Sequence, residues 1–77
     1  MEGYLATVQL YAGPRIPENW VTCSGQTMSV AQNQALYALI GNTYGGDGHN
    51  TFLLPKLDAP AGLHYIICIN GMFPSLG

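Results

Sequence analysis

Charge is what this 77-residue chain most lacks: two Lys or Arg and four Asp or Glu make up 8% of it, against about 25% in an average soluble domain. The two cations, Arg15 and Lys56, cannot neutralise a run of phosphates or hold an anionic membrane surface, since each such contact needs its own basic side chain. Nucleic acid is thereby excluded as a partner. Long apolar runs are missing as well. Stretches such as YIICI, residues 65–69, fall far short of the ~20 residues that a membrane helix needs, so no membrane insertion is expected. The first residues show no basic region followed by a long apolar segment, and no secretory leader is expected. Cysteine is scarce, and the wide spacing of Cys23 and Cys68 fits neither a zinc pattern, a redox CxxC nor a disulfide framework. A bonded pair and two free thiols both stay open, and the expectation is two reduced, buried thiols packed as small hydrophobes.

The hydrophobic fraction, by contrast, is an ordinary 48%. A chain of this length makes one small domain, residues 1–77, and removes only about 60% of its unfolded surface from water. A surface so poor in charge is best understood if copies of the chain, or a larger assembly, cover part of it. Self-association is the working expectation.

Along the chain, YLATVQLY alternates, with Tyr4, Ala6, Val8 and Leu10 on one face and Leu5, Thr7, Gln9 and Tyr11 on the other, which predicts a half-buried strand. AGPRIPEN holds Gly13, Pro14 and Pro17 and must be a loop, because proline fits neither a helix interior nor a central strand. It leads to WVTC, a second strand or buried extended piece, and SGQ then turns the chain. Ser29 followed by Gln32 has the S-x-x-Q form of a capping box. A helix is therefore predicted from Val30 to Ile40, with Ala35, Leu36, Leu39 and Ile40 on its apolar side, Gln32, Asn33 and Gln34 opposite, and Gly41 as a left-handed C-terminal residue. LPKLDAPAG reads as irregular connection. HYIICING is apolar on both faces, as expected of a strand that is central in a sheet or clamped between subunits. The class is α+β: one short helix, a few strands and long ordered loops in a small single domain.

The candidate functional stretch is GNTYGGDGHNTFLLP, residues 41–55, which holds four of the ten glycines and one of the two histidines. GNTYGG has the glycine spacing of a phosphate loop, but Asp47-Gly48 stands where Lys and Ser or Thr are required. The loop also follows a helix C-terminus, the end that repels anions, so nucleotide binding is rejected. Calcium would need more carboxylates than Asp47 alone. His49, His64, Cys23 and Cys68 have no zinc spacing, leaving only a minor reading in which His49 or His64 contributes one ligand per chain at a symmetry axis. For nucleophilic catalysis the candidates are Cys23 or Ser24 with His49 or His64 and Asp47 or Asp58, and none sits in an elbow that would expose a nucleophile to its base. The chain is read as a non-enzyme with no cofactor. What remains is shape. Gly45, Gly46 and Gly48 permit backbone conformations closed to other residues, and Tyr44 and Phe52 are expected to pin the loop to the core. Tyr44, Gly45, Gly46, Asp47, Gly48 and His49 are the candidate assembly or binding loop.

Three strings together, VQLYAGPRIPENWVTCSGQ, SVAQNQALYALIGNTYGGDGHNTFLLPKL and LHYIICINGMFPS, make the chain resemble the phage tail-collar domain family of short tail fibres and tail-fibre-like proteins. The middle string is the most specific. The resemblance implies a homotrimer packed about a threefold axis, in a virion tail or phage-tail-like particle assembled in the bacterial cytoplasm, with other tail or baseplate proteins as neighbours. The leading functional reading is a structural, non-enzymatic subunit of a phage tail or phage-like contractile injection particle. The alternative is a fibre-tip module that recognises a cell-surface receptor or glycan through Tyr44, Asp47, His49 and Asn50. The chain departs from the family pattern in two places, and the second, a missing variable insertion, favours the structural reading. LPKL is followed by DAPAG instead of the family's usual Arg-Gly-Arg type segment, with Lys56 where Asp is usual, and only a few residues replace the long variable region that usually precedes the closing strand.

Overall fold

The computed structural model describes residues 3–75. In chain order they form β1 (Val8–Tyr11), β2 (Trp20–Thr22), β3 (Thr27–Ser29), α1 (Gln34–Ile40), β4 (Thr51–Leu53) and β5 (His64–Cys68). This is the α+β arrangement that the sequence predicts, weighted toward strands.

β5 is the centre of the larger sheet, with β1 and β2 antiparallel on either side. Its alternating side chains serve two cores. Ile67 packs with Cys23, Leu36, Phe52 and Leu54, while Ile66 and Cys68 pack with Trp20 on the opposite face. All three of these β5 residues are essentially inaccessible to water. The central strand expected of HYIICING is found, and its apolar character on both faces is explained by a core on each side. Both cysteines are free and buried, one in each core.

β1 departs from the expected strand over residues 4–11. Ala6 has a φ of 69°, in the left-handed region that side chains with a Cβ rarely enter. The Thr7 amide turns back to the Tyr4 carbonyl. Ala6 and Thr7 together face Cys68, with the Ala6 amide donating to the Cys68 carbonyl and the Cys68 amide to the Thr7 carbonyl, so the regular ladder begins only after a bulge. The bulge also changes which side chains are covered. Leu5 is buried, whereas Tyr4, Val8 and Leu10 are exposed. Val8 and Leu10 stand opposite Ile67 and Tyr65, on the face that carries the first core, yet the cover of that core stops short of this edge strand.

The smaller sheet pairs β3 with β4 antiparallel, Met28 opposite Phe52, and neither of these three-residue strands was expected. Helix α1 starts later than predicted. Ser29 Oγ does accept the Gln32 amide at 3.3 Å, but Ser29 belongs to β3 and the Val30 amide donates to the Asn50 carbonyl. The chain is therefore held in the sheet where helix was expected, and the first helical bond runs from the Tyr37 amide to the Asn33 carbonyl. The cap residue is Asn33, which makes no side-chain capping bond. At the other end Gly41 has the expected positive φ, with ψ near −148°, a combination reserved in practice for glycine. Leu36 is the helix's buried residue.

The connection from β4 to β5 is irregular, as expected. Its first part is tied down, with the Leu54 amide donating to the Gln26 carbonyl and the Leu57 amide to the Cys23 carbonyl. Residues 60–62 are exposed. No helix among the described residues is long and apolar enough to cross a membrane.

Phe52 is fully buried, with its ring 5.3 Å from that of Tyr37. Phe52→Ala is expected to cost about 3–5 kcal/mol, a large share of the stability of a domain this small. Leu57→Ala, at a 41%-exposed position, should stay within about 0.5 kcal/mol. Thermal denaturation followed by circular dichroism checks both.

Candidate functional site

Loop 41–50 joins α1 to β4, and its shape follows from one carboxylate. Asp47 Oδ1 accepts the backbone amides of His49 and Asn50, each at 2.8 Å, and of Thr51 at 2.9 Å. Three donors aimed at one oxygen favour the ionised form. The Thr51, His49 and Asn50 amides accordingly pull the Asp47 carboxyl down to about 2. The side chain that looked available for a ligand is committed to its own backbone.

Packing closes the loop from the other side. Gly46 has a φ of 99°, and a Cβ there would lie 2.5 Å from the Phe52 Cα and 2.7 Å from the Thr51 carbonyl oxygen, so only glycine lets the loop lie against β4. The Leu53 amide donates to the Gly45 carbonyl. The Tyr37 hydroxyl, reaching from α1, donates to the Gly48 carbonyl at 3.0 Å. Tyr37 and Phe52, not Tyr44 and Phe52, are the aromatic pair that fixes the loop. Tyr44 is 51% exposed, and His49 is exposed as well. The loop is a rigid platform that presents an aromatic ring and an imidazole.

The catalytic candidates divide between two places. Cys23, Ser24, Asp58 and His64 line one small cleft of about 180 Å³ together with Leu57 and Tyr65, while Asp47 and His49 lie in loop 41–50. Shared lining is not a catalytic arrangement. Ser24 Oγ is bonded to Thr22 Oγ1 at 2.9 Å, and no hydrogen bond joins His64 to Ser24, Cys23 or Asp58. Burial pushes the Cys23 thiol up, away from the thiolate that nucleophilic attack requires. Among the described residues no three His, Cys, Asp or Glu side chains gather into a group that could hold a metal ion.

Two changes test the loop. Gly46→Ala must either shift Phe52 or strain the backbone, and is expected to destabilise by more than about 1 kcal/mol. Asp47→Ala removes the acceptor of three amides, so hydrogen exchange at His49, Asn50 and Thr51 should accelerate while the core amides hold. The pH dependence has a definite sign. A folded-state value of about 2, below the ordinary aspartate value of 3.8, means that the Asp47 contribution is fully present above the unfolded value and is lost as pH falls through the folded one. The chemical shifts of these three amides should titrate together near pH 2.

The phage tail collar domain family matches residues 6–61. No curated protein and no solved structure matches. The matched range runs from the bulge at Ala6 through α1, the Asp47-centred loop and β4 into the connection, and stops before β5. It contains the first two of the three strings that carry the resemblance, including the most specific one, and it covers most of the chain: the protein belongs to the phage tail collar domain family.

Proposed function

We propose that this protein is a structural, non-enzymatic subunit of a phage tail or phage-like contractile injection particle. It acts as a homotrimeric collar, fibre or baseplate-associated module beside other tail or baseplate proteins, and is assembled in the bacterial cytoplasm. Membership of the collar family supports the tail setting. The observation that carries the assembly reading is the set of exposed apolar side chains on a chain with so few charges. Tyr4, Val8, Leu10, Tyr44, Met72 and Phe73 are each at least 40% exposed.

Several of these residues are neighbours. Tyr4 and Met72 are bridged, with the Leu5 amide donating to the Met72 carbonyl and the Met72 amide to the Gly3 carbonyl. Val8 and Leu10 lie on β1, an edge strand whose sequence VQLY contains no charge and no proline, the features that usually keep a free edge from pairing with another chain. An uncovered apolar edge of this kind is best explained by a second chain seated on it. The threefold number comes from the family resemblance. The receptor-binding alternative at Tyr44, Asp47 and His49 has less support, because the loop's only carboxylate already serves three amides.

Native mass spectrometry of the full chain is expected to give a trimer. Replacing Val8 and Leu10 together by Glu and Lys should yield monomers with an unchanged far-ultraviolet dichroism spectrum. A wild-type chain that stays monomeric at micromolar concentration and joins no particle would sink the proposal.

A further inference from the structure

A second cleft, of about 450 Å³, lies where four separate stretches meet: the approach to β1 at Leu5, the entry to β2, the start of α1 and the exit from β5. Its volume falls in the range of small-ligand sites, roughly 300–1,000 Å³. Its walls are unusual in chemistry. Asn19, Gln32, Asn33, Gln34 and Asn70 bring five carboxamides to it, Ala35 and Ile69 bring apolar surface over the buried Leu5 and Leu36, and no charged residue lines it. We propose that this cleft binds a neutral saccharide.

The amides are partly organised in advance. Asn19 holds a φ of 71°, a conformation that asparagine tolerates better than most residues and that tends to persist at functional positions. Its carbonyl accepts the Ile69 amide at 2.9 Å, which seats it beside Asn70. The Asn70 Nδ2 donates to the Asn19 Oδ1 at 3.4 Å, leaving an acceptor on one residue and a donor on the other. Asn33 Nδ2 donates to the Ser29 carbonyl and keeps its own oxygen. Gln32 and Gln34 make no side-chain hydrogen bond within the chain among the described residues. The seven-residue helix contributes here through its side chains.

Ligand class follows from matching donors to acceptors. A carboxamide both donates and accepts. A phosphate or carboxylate only accepts and an ammonium only donates, so either would leave half of these atoms unmatched and would find no opposite charge. A hydroxyl does both, and adjacent hydroxyls on a sugar ring suit a paired N–H and C=O, while the ring's C–H face suits Ala35 and Ile69. An extended peptide also offers both groups, but it would bind by adding to an open strand edge. Here the main-chain carbonyl of Asn19 and amide of Ile69 already bond to each other, so recognition falls to side chains that converge on a compact cleft.

The test is amide chemical-shift mapping on the full-chain protein, titrated with N-acetylglucosamine, methyl α-glucoside, maltose and lactose, and separately with glucuronic acid and the blocked peptide acetyl-Gly-Ala-Gly-amide. At least one neutral sugar is expected to give saturable shifts at residues 19, 32–34 and 69–71. Gln34→Ala with Asn70→Ala should weaken that binding by about tenfold or more with an unchanged melting temperature. The proposal is overturned if no neutral sugar shifts these amides, if the shifts centre on residues 44–49, or if glucuronic acid or the peptide binds more tightly than every neutral sugar. A blank titration of an intact trimer overturns the cleft proposal and leaves the assembly reading standing, and a monomer that binds sugar does the reverse.

Discussion

The burial of β5 on both faces is the constraint on which the rest of the structure depends. A single five-residue strand separates two cores, so each face needs its own cover. The first is covered by α1 and the small sheet through Leu36 and Phe52, the second by Trp20 with Tyr11 and Ile16. The proline-containing loop between β1 and β2 is thus not mere connection, because it carries Ile16 to the second core. The partners of β5 also lie far away in sequence, as in Val8 opposite Ile67 and Trp20 opposite Cys68. Sheet formation must therefore bring distant segments together before burial rewards it, an arrangement that slows folding relative to helical domains.

The Asp47 loop obeys an opposite logic. Its bonds from Asp47 span two, three and four residues, so its form is decided locally, by one side chain and by a glycine that no other residue can replace. Only its position is tertiary, through Tyr37 and Phe52. A locally determined loop on a sheet held together at long range keeps its shape while its surroundings vary, which suits a contact surface within an assembly.

Much of this was legible in the sequence, for physical reasons that can be named. HYIICING could be read as a central strand because only burial on two faces tolerates apolar residues at every position. AGPRIPEN could be read as a loop because proline leaves few choices, and residues 34–40 as helix from their periodicity. β3 and β4 were not legible, since three-residue strands exist only because Met28 and Phe52 meet across the fold. The capping signature at Ser29 misled about the helix start because the same hydroxyl–amide contact also forms in a turn, and the Val30 amide was claimed by Asn50. Ala6 in a left-handed conformation has no signal at all, being an ordinary residue held by its bulge. Of the candidate site, the glycine-rich loop was found, but the roles inside it were not: Tyr37, eleven residues from Gly48, does the pinning assigned to Tyr44. The five amides of the second cleft were invisible because they come from three distant stretches, and those before α1 read simply as its polar side.

The connection between β4 and β5 has a consequence for how such a domain can diversify. Its first residues are bonded to the body of the fold through Leu54 and Leu57, and a turn closes it where the Leu63 amide meets the Pro60 carbonyl. Between these two anchors the chain lies at the surface. The entropic cost of lengthening such a segment grows only logarithmically, by about 0.6 kcal/mol per doubling. A short crossing and a long, elaborately folded one can therefore stand on the same two anchors at nearly the same stability, which makes this segment a socket that can be lengthened or shortened while β5 still finds its place.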